Sequence, residues 1–127
     1  MKTRLALSAV ALSVLSLPAM AGGTGPFEAE IDCGGIVSPP AAVPYQLRFE
    51  NQTQQTQVID ITVTLTLPTG NSITLRDATL NLGPNQDRSV RQRVNLPANA
   101  PSGSYQMTIV AATADFSTFD TCSFSAS

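Results

Sequence analysis

The side chains able to do chemistry are few, and their types close off most reactions at once. The chain has no His and no Trp, and its single Lys is Lys2. Without His, neither a Ser-His-Asp nor a Cys-His nucleophile can be assembled. Without Lys beyond position 2, Schiff-base and Ser-Lys chemistry have no amine in the body of the chain. A carboxylate pair could hydrolyse glycosides, but the acids stand singly along alternating segments, with no Trp to carry a sugar ring. The chain reads as a non-enzyme with no cofactor and no resident metal. Asp115 and Asp120 flank the last turn. Two carboxylates offer Ca²⁺ too few oxygens, and EF-hand spacing is missing, so turn capping is the simpler role.

Four side chains are candidates for binding rather than catalysis. Phe116 and Phe119 lie within ADFSTFD, beside the last turn. An exposed aromatic pair there would anchor a partner; the competing reading folds one or both back over the core. Arg91 and Arg93 share a strand face, with Arg88 nearby. They suit an acidic partner or carboxylates on a neighbouring strand, or simply a solvated face that discourages edge aggregation. Thr62, Thr64 and Thr66 form a hydroxyl stripe that reads as a wet face before it reads as an ice- or glycan-binding one.

Cys33 and Cys122 are the only cysteines. In an oxidising compartment one disulfide is expected. It would join the first strand region to the last, and closing a loop of about 90 residues is worth roughly 4–5 kcal/mol in the chain-entropy account. In a reducing compartment they would stay thiols, and two cysteines without His make half a zinc site.

The start of the chain supplies the compartment. Lys2 and Arg4 precede the apolar run Leu5 to Leu17, and Pro18 leads into Ala19-Met20-Ala21, a small-x-small cleavage pattern. Residues 1–21 therefore read as a secretory signal peptide. The run is short for a bilayer span, and no Cys follows closely enough for a lipid anchor, so export without membrane insertion is expected, to the periplasm or the exterior. Residues 22–127 read as a single domain. They hold five basic residues against nine acidic ones, a net charge of −4. That balance argues against nucleic acid and anionic membrane surfaces.

The rest is organised around PANAPSGSYQMTIVAAT, Pro97 to Thr113. Pro97, Pro101 and Gly103 make a turn. Period-two alternation then places Tyr105, Met107, Ile109 and Ala111 on one face. The other face turns apolar at Val110 and Ala112, which suggests a mid-sheet strand buried on nearly both sides late in its course. Tyr105 is a candidate tyrosine corner. Further strands are expected at Phe27–Ile31 as an edge, Tyr45–Glu50, Gln57–Leu67, Arg88–Leu96 and Phe119–Phe124. Ile73 to Leu82 reads as a return strand with a break near Arg76-Asp77, and Ile36-Val37 as a brief resumption of pairing. Turn signals stand at Pro68-Thr69-Gly70-Asn71 and Gly83-Pro84-Asn85-Gln86. The sequon Asn51-Gln52-Thr53 would matter only in a glycosylating host. About seven short strands without helical periodicity define an all-β chain, an antiparallel immunoglobulin-like β-sandwich.

Leu80 to Ser127, with its "P-x-x-A-P-x-G-x-Y" turn and its closing strand of alternating Ser and Phe after Asp120, resembles the C-terminal half of secreted bacterial immunoglobulin-like or fibronectin-III-like modules. The hairpin from Gln57 to Leu75 matches as well. The resemblance implies spacer, adhesion or binding roles without choosing among them. In size and cysteine placement the chain is also similar in outline to periplasmic curli-assembly inhibitors. The function expected is a non-catalytic exported protein that binds an unknown protein partner through a sheet edge or loop tips. A periplasmic inhibitor or chaperone, of amyloid or of a hydrolase, is the alternative; a carbohydrate-binding module comes third.

Overall fold

Among the described residues, alternating apolar residues become eight strands: β1 (Phe27–Asp32), β2 (Ile36–Val37), β3 (Ala41–Asn51), β4 (Gln57–Thr66), β5 (Ser72–Leu82), β6 (Asp87–Leu96), β7 (Gly103–Ala112) and β8 (Ser117–Ala126). The computed structural model describes residues 25–127, so the signal peptide expected over 1–21 lies outside the described residues. β1, β3 and β6 form a three-stranded sheet in the order β1-β3-β6; the other five form a second sheet in the order β2-β8-β7-β4-β5. Every pairing is antiparallel except that of β2 with β8. The chain is an immunoglobulin-like β-sandwich.

The core lies between the sheets and follows the period of two. β1 contributes Phe27, Ala29 and Ile31, β3 Val43, Tyr45, Leu47 and Phe49, β4 Ile59 to Leu65 at alternate positions, and β7 Tyr105 to Ala111 likewise. A strand shows one face to the opposite sheet and the other to water. Fully burying one such side chain is worth about 1.5–3 kcal/mol, so the alternation fixes the register of every strand. β7 lies between β4 and β8, in the middle of its sheet. Its first residues are set by the preceding turn: the Tyr105 hydroxyl donates to the Pro101 carbonyl at 2.6 Å, a tyrosine corner, and the ring stacks on Phe124 with centroids 5.1 Å apart. Gly103 takes φ +131° and its Cα faces Pro68, 3.0 Å from where a Cβ would sit. Glycine alone suits that backbone angle without strain.

Three expectations need correction. The outer face of β7 does not become buried, since Val110 is 42% exposed; nothing covers the five-stranded sheet on that side among the described residues. The break near Arg76-Asp77 is a β-bulge inside one continuous strand. Val63 pairs with Arg76 and Thr64 with Thr74, leaving Leu75 as the extra residue. β3 starts at Ala41, earlier than Tyr45, and runs through Pro44. Pro44 lacks an N–H, but that position points towards β1, which ends at Asp32 opposite Gln46. No ladder bond is lost there.

Candidate functional site

The two phenylalanines of the last turn part company. The Thr113 N–H donates to the Phe116 carbonyl at 2.7 Å, which closes the β7–β8 turn. Phe116 then folds inward. It meets Phe27 edge-on, with ring centroids 5.2 Å apart, and a Cβ at Gly25 would clash with its ring. Phe119, on β8, points outward and is 70% exposed. Its cross-strand partner is Val110. The pair forms an apolar step on the outer face of the five-stranded sheet.

That outer face is otherwise largely hydroxylic, with Asp77 of β5 opposite Thr62 at the far end of the step's own row. The row beside the step runs Thr121, Thr108, Thr64, Thr74 across four strands. Asp60 is the one ionisable side chain at the outward positions of β4, β7 and β8, and it accepts a hydrogen bond from Thr79 at 3.0 Å. The threonine stripe foreseen on β4 therefore widens into a sheet-wide surface once β7 and β8 are laid beside it.

The outer face of the three-stranded sheet is the opposite in character. Glu28, Glu50 and Asp87 occupy one cross-strand row. Burial pushes the Glu50 carboxyl above its ordinary value, and the charges of Asp87 and Glu28 add to the effect. Arg48 pairs with Glu30 at 3.3 Å, as neighbouring strands allow. Arg91 and Arg93 do not find such partners: Gln46 stands opposite Arg91 and Pro44 opposite Arg93. Both are exposed and form no ion pair among the described residues. The phenylalanine and arginine sites thus sit on different sheets and do not combine into one site.

Cys33 and Cys122 are joined, with Cα atoms 5.6 Å apart. The bond links the segment after β1 to β8, one sheet to the other. Asp120 lies on the same strand and does not cap a turn. Its carboxylate accepts from the Ile31 N–H of β1 at 3.0 Å. Thr113 takes the turn role instead, its Oγ1 accepting from the Asp115 N–H at 3.4 Å. No cluster of three or more metal-ligating side chains occurs among the described residues.

Asn51, which the sequence presents only as part of a sequon, is a structural residue. It is the one buried polar side chain among the described residues, at 1% exposure. Its amide donates to the carbonyls of Gln55, Leu82 and Gly83 at 2.7, 3.1 and 2.8 Å. Its oxygen accepts from the Thr53 N–H and hydroxyl at 2.9 and 2.8 Å. Both sequon residues are therefore consumed by folding, and the amide nitrogen is closed to glycosylation in the folded chain. The sequence signal was present, since Asn-x-Thr is also an Asx-turn pattern.

With this geometry in place, comparison with known proteins bears on the fold alone. No protein family and no curated protein matches the chain. Among solved structures it is similar to the CARDB domain of a Pyrococcus furiosus protein, solved with di-metal ions. That match has TM-score 0.64 and 15% identity and covers 79% of this chain and 91% of that one. It is also similar to part of a family 123 glycoside hydrolase from Clostridium perfringens, with TM-score 0.65 and 11% identity over 81% of this chain but 27% of that one. Part of the Pseudomonas fluorescens DNA glycosylase AlkC matches too, with TM-score 0.62 and 10% identity over 78% of this chain and 30% of that one. The chain spans under a third of either enzyme, and nearly all of the CARDB domain.

Proposed function

We propose that this protein is an exported, non-catalytic immunoglobulin-like domain that binds another protein through the outer face of its five-stranded sheet. The observation that carries the reading is Phe119, 70% exposed beside the 42% exposed Val110. Leaving an aromatic ring in water forgoes the burial that Phe116 secures a few residues earlier, and a partner presenting an apolar group would recover it. The surrounding hydroxyls give a partner directional hydrogen bonds, with few charges to desolvate beside the step, Asp77 and Asp60 lying towards β5. Export agrees with the cysteine pair, since disulfides persist in oxidising compartments. Likeness to a CARDB domain along nearly its whole length, and to only a fraction of each enzyme, supports a module over a catalyst.

The test is affinity capture from periplasmic and culture-fluid extracts with wild type, Phe119→Ala and Phe116→Ala. Phe119→Ala should lose the captured partner while keeping the wild-type melting temperature. Phe116→Ala should lose about 2–4 kcal/mol of stability, because it empties a packed site. Equal capture by wild type and Phe119→Ala would remove the assignment. A carbohydrate ligand is the second reading, favoured by the four-threonine row flanking Phe119; retardation of the wild type, but not of Phe119→Ala, in polysaccharide-containing gels would select it.

A further inference from the structure

The sandwich has four sheet edges, and three of them are blunted. β1 has its Ile31 N–H taken by Asp120. β2 is two residues long, and the rest of that edge is β8, which is tied to the other sheet by the disulfide at Cys122 and by Asp120. β5 is bent by the bulge at Leu75. Such devices prevent strand addition. β6 has none of these three, and its only defence is charge on its side chains, which a neighbour of complementary order would neutralise. Its ten residues keep one unbroken register with β3 and include no proline, and its outer row of backbone groups has no partner among the described residues.

Which groups form that row follows from the ladder. The Asn51 N–H donates to the Gln86 carbonyl at 2.9 Å, so the even-numbered residues of β6 bond to β3 and the odd-numbered ones face outward. Asp87, Ser89, Arg91, Arg93 and Asn95 therefore present free N–H and C=O groups along the edge. Their side chains all lie on the outer face of the sheet.

We propose that β6 is a homotypic pairing edge: a second copy of this chain adds antiparallel to it about a two-fold axis at Val90, giving a continuous six-stranded sheet. In that register Asp87 stands opposite Arg93 of the second copy, and Ser89 opposite Arg91, each twice by symmetry. All four are outward-facing residues that can form hydrogen-bonded pairs, about eight ladder bonds in all. On the inner face Val90, half-buried at the rim of the core, meets its own copy. Moving the axis to residue 91 places Arg91 against itself. Moving it to residue 89 sets Asp87 opposite Arg91 but leaves Arg93 opposite Asn85, beyond the end of the strand, and loses one hydrogen-bonded pair. Charge order and ladder length together thus select one register. Arg93, which lacks an ion pair within the chain, gains one to Asp87 at the end of the crowded row Glu28, Glu50, Asp87, and Arg91 lies on the diagonal to the same Asp87.

The inference goes beyond the binding reading above: it concerns the other sheet and needs no foreign partner. A single added strand buries less than a standard interface, so the dimer is weak and loosens in high salt. Sedimentation equilibrium of the exported, disulfide-bonded protein in low salt tests it, with circular dichroism and melting to confirm that each variant is folded. Wild type should show a concentration-dependent dimer. Asp87→Arg and Arg93→Asp each set like charges opposite one another twice and should weaken it about tenfold or more. The double variant Asp87→Arg/Arg93→Asp restores both pairs and should return to within about threefold of wild type, while Phe119→Ala should dimerise as wild type does. A wild type that stays monomeric at millimolar concentration would overturn the proposal. So would a dimer indifferent to both single reversals, or one that the double variant fails to restore.

Discussion

Asn51 illustrates how much of this fold hangs on one polar side chain. Its amide sits at the end of β3 and satisfies backbone groups of the following loop, of the last residue of β5 and of the β5–β6 turn. In Asn51→Ala the buried carbonyl of Leu82 loses a donor that water cannot easily replace. Each unsatisfied buried group costs about 1–3 kcal/mol, so a total loss of about 3 kcal/mol is expected by urea denaturation. Faster amide exchange should appear across residues 52–56 and at the β5–β6 turn. A loss below about 1 kcal/mol would mean that the neighbouring backbone finds other partners. Asn51→Asp keeps the acceptor for Thr53 but places a carboxylate against three carbonyls, and should be no better than alanine. Burial of this kind was not legible beforehand. A polar residue at the end of an amphipathic strand reads as the start of a loop, and the three carbonyls it serves come from segments up to 32 residues away.

At the scale of the element, the strands were legible because a half-buried strand writes itself as alternation. The run of five apolar and four polar residues in strict turn from Ile59 to Leu67, which β4 follows to Thr66, could hardly be anything else. What alternation does not record is the neighbour across a sheet, or the treatment of an edge. β1 reads as an edge strand with a wet face, and it is one. Its protection by Asp120 is invisible in sequence because the two residues join strands 89 positions apart. Likewise the bulge at Leu75 reads as a break, since an extra residue disturbs the period without ending the strand. Asp120 supplies the test at this scale. Asp120→Ala should cost about 1–2 kcal/mol, the worth of a charge-assisted hydrogen bond, and should accelerate exchange of the Ile31 amide far more than that of its neighbours on β1. Asp120→Asn retains an acceptor and should recover most of both effects. Unchanged Ile31 protection in the alanine variant would show that the edge is covered by something other than this carboxylate.

For the molecule as a whole, the question is what holds two sheets together when the smaller has three strands and the chain enters through one sheet and leaves through the other. Hydrophobic burial between the faces supplies the bulk of the attraction, but the edge strand β1 is held by three buried side chains, Phe27, Ala29 and Ile31. The Cys33–Cys122 bond addresses that corner. It spans 89 residues of sequence and couples the end of β1 to the middle of β8, beside the Asp120 contact. A loop of this length removes enough freedom from the unfolded chain to be worth about 4–5 kcal/mol in the chain-entropy account, and losses of 2–5 kcal/mol are typical when a native disulfide leaves a small domain. Total stabilities run about 5–15 kcal/mol, so Cys33→Ser/Cys122→Ser should remain folded but marginal. Urea unfolding should show a loss of about 3–4 kcal/mol. Because the effect resides mainly in the unfolded chain, that state should also expand and the m-value rise. A stability loss under 1 kcal/mol with an unchanged m-value would place the clasp elsewhere. The buried face of β1, with Phe27 locked against Phe116, would then be doing the work assigned to the sulfurs.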